Sequence, residues 1–386
     1  MNGRAMFGDR RQRGMTLVEL MVAVLLGLVT TFFIAQVMFV SEGYKRTTST
    51  GSDAQVSGAL ALYTLQRDVQ AAGYGIASVQ AALGCPVSGT FGTAGSTTTA
   101  SFTLAPVVIT PGASASAPSD ALTVLSSAKA GFSAPIDVTE VHPASSNYFA
   151  VRSSFGVAVG DVMVAAPAAW TTTNGCTMFS VEQDTSIADT TLSATRVPHV
   201  PGGNASWNKD LPSIFPSSGY TDSSILLNLG GIAKRKYAVS TDGTLEIESL
   251  TSTGAAPTTQ NMYSQIVLLK ALYGRDTNND NVIDTYDANT PTTAAGWAQV
   301  RAVRVAIVAR SAQREKDVVS TTPAWNVSTG AAVSYVDAAS GSTTACAAAA
   351  ATCSLPLTVN HLTDWAHYRY KVYDTVIPLR NVLWNS

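Results

Sequence analysis

The run Met15 to Val40, MTLVELMVAVLLGLVTTFFIAQVMFV, contains one charged side chain, Glu19. As a helix it would be about 39 Å long, more than the ~30 Å hydrocarbon core of a bilayer. A segment of this kind can span a membrane or lie inside a bundle of similar helices. Arg4, Arg10, Arg11 and Arg13 precede it. The positive-inside rule therefore leaves the N-terminus in the cytoplasm and carries residues 41–386 across. A secretory signal would have a shorter apolar stretch and a small-x-small site after it, and no such site follows Val40. A plain signal anchor explains the length but gives no reason for the carboxylate, which costs a few kcal/mol at insertion.

The residues around the glutamate supply a reason. The segment RQRGMTLVEL, Arg11 to Leu20, resembles the prepilin peptidase site of type IV pilins and pseudopilins. The resemblance implies cleavage after Gly14 and N-methylation of the new terminus, Met15. It also implies that Glu19, at mature position five, pairs with the amino terminus of a neighbouring subunit. A cationic amine and a carboxylate buried together offset much of each other's desolvation.

Composition agrees with export. Charged residues make up 13% of the 386, below the ~25% usual for soluble domains. The formal charge is −2, and residues 1–14 carry +3, so the processed chain stands at −5. A mildly acidic head lacks the basic field that non-specific nucleic-acid binding needs, and no nucleic-acid partner is expected. The four cysteines, Cys85, Cys176, Cys346 and Cys353, form no CxxC pair. Beyond the inner membrane disulfides are the default, with three possible connectivities. The simplest pairs Cys346 with Cys353 around a short Ala-rich loop and leaves Cys85–Cys176.

After Val40 the chain turns polar and then amphipathic from Asp53. Val56, Leu60, Tyr63 and Val69 lie near helical spacing, joined by Leu62 and Leu65, and Gly73 and Gly75 end the pattern. Gly43 and Gly51 are positions where this helix could bend. Short β-like runs follow, among them ALTVLSS from Ala121, DVMVAAP from Asp161, SILLNLG from Ser224 and QVRAVRVAIVARS from Gln299. Asp242-Gly243 between two such runs signals a hairpin. GTAGSTTTAS near residue 95 and the Ala run between Cys346 and Cys353 read as surface connections. The fold class is α+β: a long N-terminal helix on a mostly antiparallel sheet with a large β-rich insertion. The expected divisions are a leader over 1–14, the membrane or filament-core half of the helix over 15–40, its amphipathic half over 41–75, and a head over 76–386.

LQRDVQAAGYG (Leu65 to Gly75), ALYGRDTNNDNVID (Ala271 to Asp284), AVRVAIVAR (Ala302 to Arg310) and IPLRN (Ile377 to Asn381) together resemble the PilW family of minor pilins. A related alternative is the J-type pseudopilin of type II secretion. Membership implies a subunit that primes a type IV pilus and sits at or near its tip, or a tip-exposed adhesive module. The implied partners are other minor pilins, the major pilin, a PilY-type tip protein, the prepilin peptidase and the inner-membrane assembly platform.

One segment has the makings of a cation site. Asp276, Asn278, Asp280, Val282, Asp284 and Asp287 match positions one, three, five, seven, nine and twelve of an EF-hand-type loop. Calcium would take their oxygens, with Val282 supplying a backbone carbonyl. Position six is Asn281 rather than Gly, and position twelve is Asp287 rather than Glu. The competing expectation is a polar turn, which Asp and Asn favour. His361, Asp364 and His367 sit three residues apart, a spacing that fits neither one strand face nor one helix face, and read as structural. No GxSxG, P-loop, HExxH or strand-linked GxGxxG is present, so an enzyme is not expected.

Overall fold

The computed structural model describes residues 14–386 except 94–95, 130–133, 202–205, 212, 251, 253–256, 329, 338–340 and 385–386. The Arg-rich leader before Gly14 lies outside the described residues. Contacts divide the chain into two units, Met1–Ser52 and Asp53–Ser386. A single 55-residue helix, α1, runs over Leu17–Ala71, passing Gly43 and Gly51 without interruption.

The expected apolar stripe on the second part of α1 is corrected by the packing. Val56, Leu60 and Tyr63 are exposed, whereas Ala54, Ala61, Leu65 and Val69 are buried. The buried face includes Gly58, where a Cβ would stand 2.5 Å from the Tyr373 ring. Small residues win this face because they let the helix backbone approach the sheet. Asp68 accepts from Arg235 Nη1 at 2.6 Å and from the Tyr237 hydroxyl, and Thr64 shares a 2.7 Å hydrogen bond with Tyr263. At the helix end, Asn381 Nδ2 donates to the carbonyls of Ala71 and Ala72 at 3.2 and 3.0 Å. Those carbonyls lack intrahelical partners, so the C-terminal Asn acts as a cap from 310 residues away. Gly73 then turns the chain with φ +80°.

Three larger sheets make up the head. The first has six strands in the order Ser96–Thr103, Pro86–Thr93, Cys176–Ser180, Val162–Ala166, Ile225–Gly230, Ile136–Asp137. The second has five: Thr258–Ser264, Thr244–Leu250, Ile232–Val239, Ala121–Ser127, Val107–Thr110. The third has six: Thr343–Cys346, Ala332–Val336, Thr285–Asp287, Ile266–Arg275, Val300–Arg310, Tyr370–Pro378. Pro86–Thr93 with Cys176–Ser180, and Thr285–Asp287 with Ala332–Val336, are parallel; the other sheet pairings are antiparallel. An α+β molecule results, with an apolar helix followed by a mostly antiparallel β region.

The helix face from Ala54 to Ala72 packs on the second and third sheets, against residues such as Ile109, Leu122, Leu269, Val305 and Ile377. The first sheet closes a second core around Cys85, Trp207 and Leu227, with Leu125 and Ile232 from the second sheet. The Asp242-Gly243 hairpin is present: Gly243 takes φ +75° between Ile232–Val239 and Thr244–Leu250. The stretch near residue 95 departs from expectation. Instead of a loop it forms a hairpin of two eight-residue strands, paired from Pro86↔Thr103 to Thr93↔Ser96. Thr and Ser fit a half-exposed pleated surface, so low complexity concealed a strand.

Disulfides join Cys85 to Cys176 and Cys346 to Cys353. The first is buried where the parallel strands of the first sheet meet; the second closes an exposed loop beside the third sheet.

Candidate functional site

The helix start is built by its own sequence. Thr16 precedes the first helical residue, and its Oγ1 accepts the Glu19 amide at 3.3 Å. Thr-x-x-Glu is a capping pattern, and a carboxylate in the first turn suits the positive end of the helix dipole. Gly14 and Met15 lie just before this cap in non-helical backbone. Met15 is 62% exposed, and Glu19 is exposed as well. Leu17–Glu42 has a mean hydropathy of 2.5 with none of its most apolar stretch buried. Its polar side chains close on the helix itself: Thr30 and Thr31 hydroxyls donate to the carbonyls of Leu26 and Gly27 at 2.9 and 2.7 Å. From Leu17 to Val40 the segment is therefore an apolar cylinder whose one charged group, Glu19, stands four residues from Met15.

The acidic loop curls around Asp276, which is fully buried. One Asp276 oxygen accepts the Asp280 amide at 3.2 Å and the other the Asn281 amide at 3.0 Å. Asn281 takes φ +66°, so Asn serves where an EF-hand-type loop has Gly. Asp280 accepts the Val282 amide at 2.8 Å. Asn278 Nδ2 stands between the carboxylates of Asp280 and Asp284, at 3.1 and 3.5 Å. The Thr277 amide and hydroxyl hold the Asp284 carboxyl below its ordinary range.

Two members of the expected set are otherwise engaged. Asp287 lies on strand Thr285–Asp287 and pairs with Arg275 at 2.9 Å, which takes it out of the ligand set. Strand pairing with Ile266–Arg275 turns it toward that guanidinium. Asp276 has Arg301 Nε 3.5 Å away. Among the described residues no three acidic, histidine or cysteine groups converge on one point. As folded, the loop satisfies its carboxylates with its own amides. His361, Asp364 and His367 do not gather either: Asp364 pairs with Arg314 at 2.8 Å and His367 Nδ1 lies 3.2 Å from the Glu315 carbonyl.

Two buried polar pairs have no local sequence signal. His142 and His199 bring their Nε2 atoms within 2.8 Å, inside an aromatic cluster of Phe149, Phe179, Phe215 and Tyr220. Lys270 and Asp120 form an ion pair at 2.8 Å, with side chains 2% and 3% exposed. Partners 57 and 150 residues apart cannot be read from spacing.

Comparison with known families gives two matches. The prokaryotic N-terminal methylation motif covers residues 9–35, and type IV pilus-assembly protein W covers residues 235–381. No curated protein and no solved structure matches the chain. The first match contains Gly14, Met15 and Glu19; the second runs from the second sheet through the third to the Asn381 cap. Both families are structural components of pili rather than enzymes. Bearing the methylation motif at one end and a region similar to type IV pilus-assembly protein W at the other, the chain resembles a PilW-type minor pilin of a type IV pilus, and its single N-terminal apolar helix fits a pilin anchored in the inner membrane and later incorporated into the pilus.

Proposed function

We propose that this pilin primes assembly of a type IV pilus and sits at or near its tip. The observation that carries the assembly role is the capped helix start, which presents Glu19 in an otherwise apolar cylinder close to the Met15 terminus. In a bundle of such helices, a subunit's amine released at Met15 by cleavage after Gly14 is the cation that neutralises a neighbour's Glu19. Position at the tip is supported by the head: residues 36–234, including the whole first sheet, lie outside both family matches. That added bulk is accommodated most easily where no further layer of heads must stack above it. The same reading makes other minor pilins and a PilY-type tip protein its neighbours.

The experiment is replacement of Glu19 by Ala. Membrane insertion is expected to persist, since the change removes a desolvation cost, while incorporation into sheared pili falls. Normal incorporation of Glu19→Ala overturns the pairing role.

We propose, second, that the acidic loop binds calcium through Asn278, Asp280, Val282 and Asp284, with Asp276 holding the curl. The observation favouring this is the pair of amides on Asp276, which folds the loop so that Asn278 lies between two carboxylates. When bound, calcium would supply the positive charge that this amide only partly provides.

A further inference from the structure

The Lys270–Asp120 pair is buried in the head. Lys270 belongs to strand Ile266–Arg275 and shares a face with Leu268 and Leu272, whose core includes Trp325, Tyr335 and Leu357. Asp120 directly precedes strand Ala121–Ser127. Lys270 Nζ lies 2.8 Å from Asp120 Oδ1, and the carbon it would attack, Cγ, is the next atom along. The Gly112 amide donates to Oδ1 at 3.0 Å and the Ala271 amide to Oδ2 at 3.0 Å. The Tyr335 ring lies 5.4 Å from Nζ, and its hydroxyl is buried without a hydrogen-bond partner.

Two full charges in such a setting face a desolvation penalty that one contact barely offsets. Moving one proton from the ammonium to the carboxylate leaves a neutral amine beside a neutral acid. Burial pushes the Asp120 carboxyl up, against the opposing pull of Lys270. The Ala271 amide then points at Oδ2, where negative charge would develop on attack.

We propose that Lys270 and Asp120 become joined by an intramolecular amide cross-link, formed by the folded protein itself. The Nζ lone pair attacks Cγ and forms the N–C bond. The developing oxyanion, on Oδ2, is held by the Ala271 amide, while the Gly112 amide lies on Oδ1, the oxygen that leaves. A proton from Nζ passes to the other carboxyl oxygen, the C–O bond breaks, and one water leaves. No oxidant, reductant or co-reactant is needed. The product ties the second sheet to the third across 150 residues.

The test uses full-length protein extracted from membranes, with both disulfides reduced and alkylated. The expected intact mass is one water below that of the alkylated, N-methylated chain beginning at Met15, and trypsin leaves Lys270 uncut, giving a branched peptide that carries Asp120. Lys270→Arg, which keeps the charge but cannot condense in this way, is expected at its full mass. A wild-type protein at full mass, cleaved normally after Lys270, overturns the proposal. So does a lost water mapped to Asp242-Gly243, where an Asp-Gly succinimide would give the same mass.

Discussion

A carboxylate in an apolar helix and two imidazoles in an apolar core face the same cost of burial, and the chain meets it in opposite ways. In the filament proposed above, Glu19 is met by an amine from another subunit. His142 and His199 give up their charge. Burial lowers His142 to about 4, and burial together with His142 holds His199 well below its ordinary range. In the unfolded chain both titrate near 6.5. Folded-state values below the unfolded ones mean that stability is fully present above pH 6.5 and is lost as pH falls toward 4. His142 alone should cost roughly 2 kcal/mol at pH 5 relative to pH 7. Melting temperatures between pH 7 and 5 should therefore fall, and the double change His142→Phe, His199→Leu should flatten that dependence. An unchanged slope in the double variant would remove the pair as its source. At the acidic loop, millimolar calcium should raise the melting temperature over chelator. A hundredfold excess over Kd adds about 2.7 kcal/mol, and Asp280→Ala should abolish most of the gain. Identical melting with calcium and chelator leaves a self-satisfied polar turn.

At the scale of elements, the second part of α1 shows how tertiary packing selects a helix face. Val56, Leu60 and Tyr63 stay outside, while Leu65 and Val69 are buried beside the small residues Ala54, Gly58 and Ala61, which let the helix approach two sheets at once. Gly58→Val should destabilise the head by roughly 1–3 kcal/mol, the usual cost of overpacking, read as a lower melting temperature. A neutral result would mean that Tyr373 swings away freely. The two disulfides should differ in the same measurement. In the chain-entropy account a bond across 91 residues contributes roughly 4–5 kcal/mol, and one across seven roughly 2–3. Replacing Cys85 and Cys176 by Ala should lower the melting temperature more than replacing Cys346 and Cys353. The reverse order would mean that the exposed loop beside the third sheet governs unfolding.

For the whole molecule, processing and placement are the tests. N-terminal sequencing of membrane-extracted protein should start at Met15, because a prepilin peptidase requires the small Gly14 before the bond it cuts. Recovery of Met1 in cells with active peptidase would defeat that assignment. Antibody against the first sheet should label one end of a pilus; label along its length would place the subunit in the shaft instead.

What could be read along the chain was whatever depends on near neighbours. The apolar run, the Gly14-to-Glu19 spacing in RQRGMTLVEL, the Asp242-Gly243 turn and the acidic loop from Asp276 all act within a few residues or one membrane thickness. The strand at Ala121–Ser127 and the long strand Val300–Arg310 announced themselves through continuous apolar or alternating side chains. Ser96–Thr103 did not, because a strand of Ser and Thr carries no hydrophobic period. Everything set by pairing between distant segments came only with the tertiary structure: the small-residue face of α1, the Asn381 cap on its end, Asp287 drawn to Arg275, His142 against His199, and Lys270 against Asp120. Such contacts are fixed by sheet order and register, and those emerge from the competition of all strands for partners rather than from any stretch of the sequence alone.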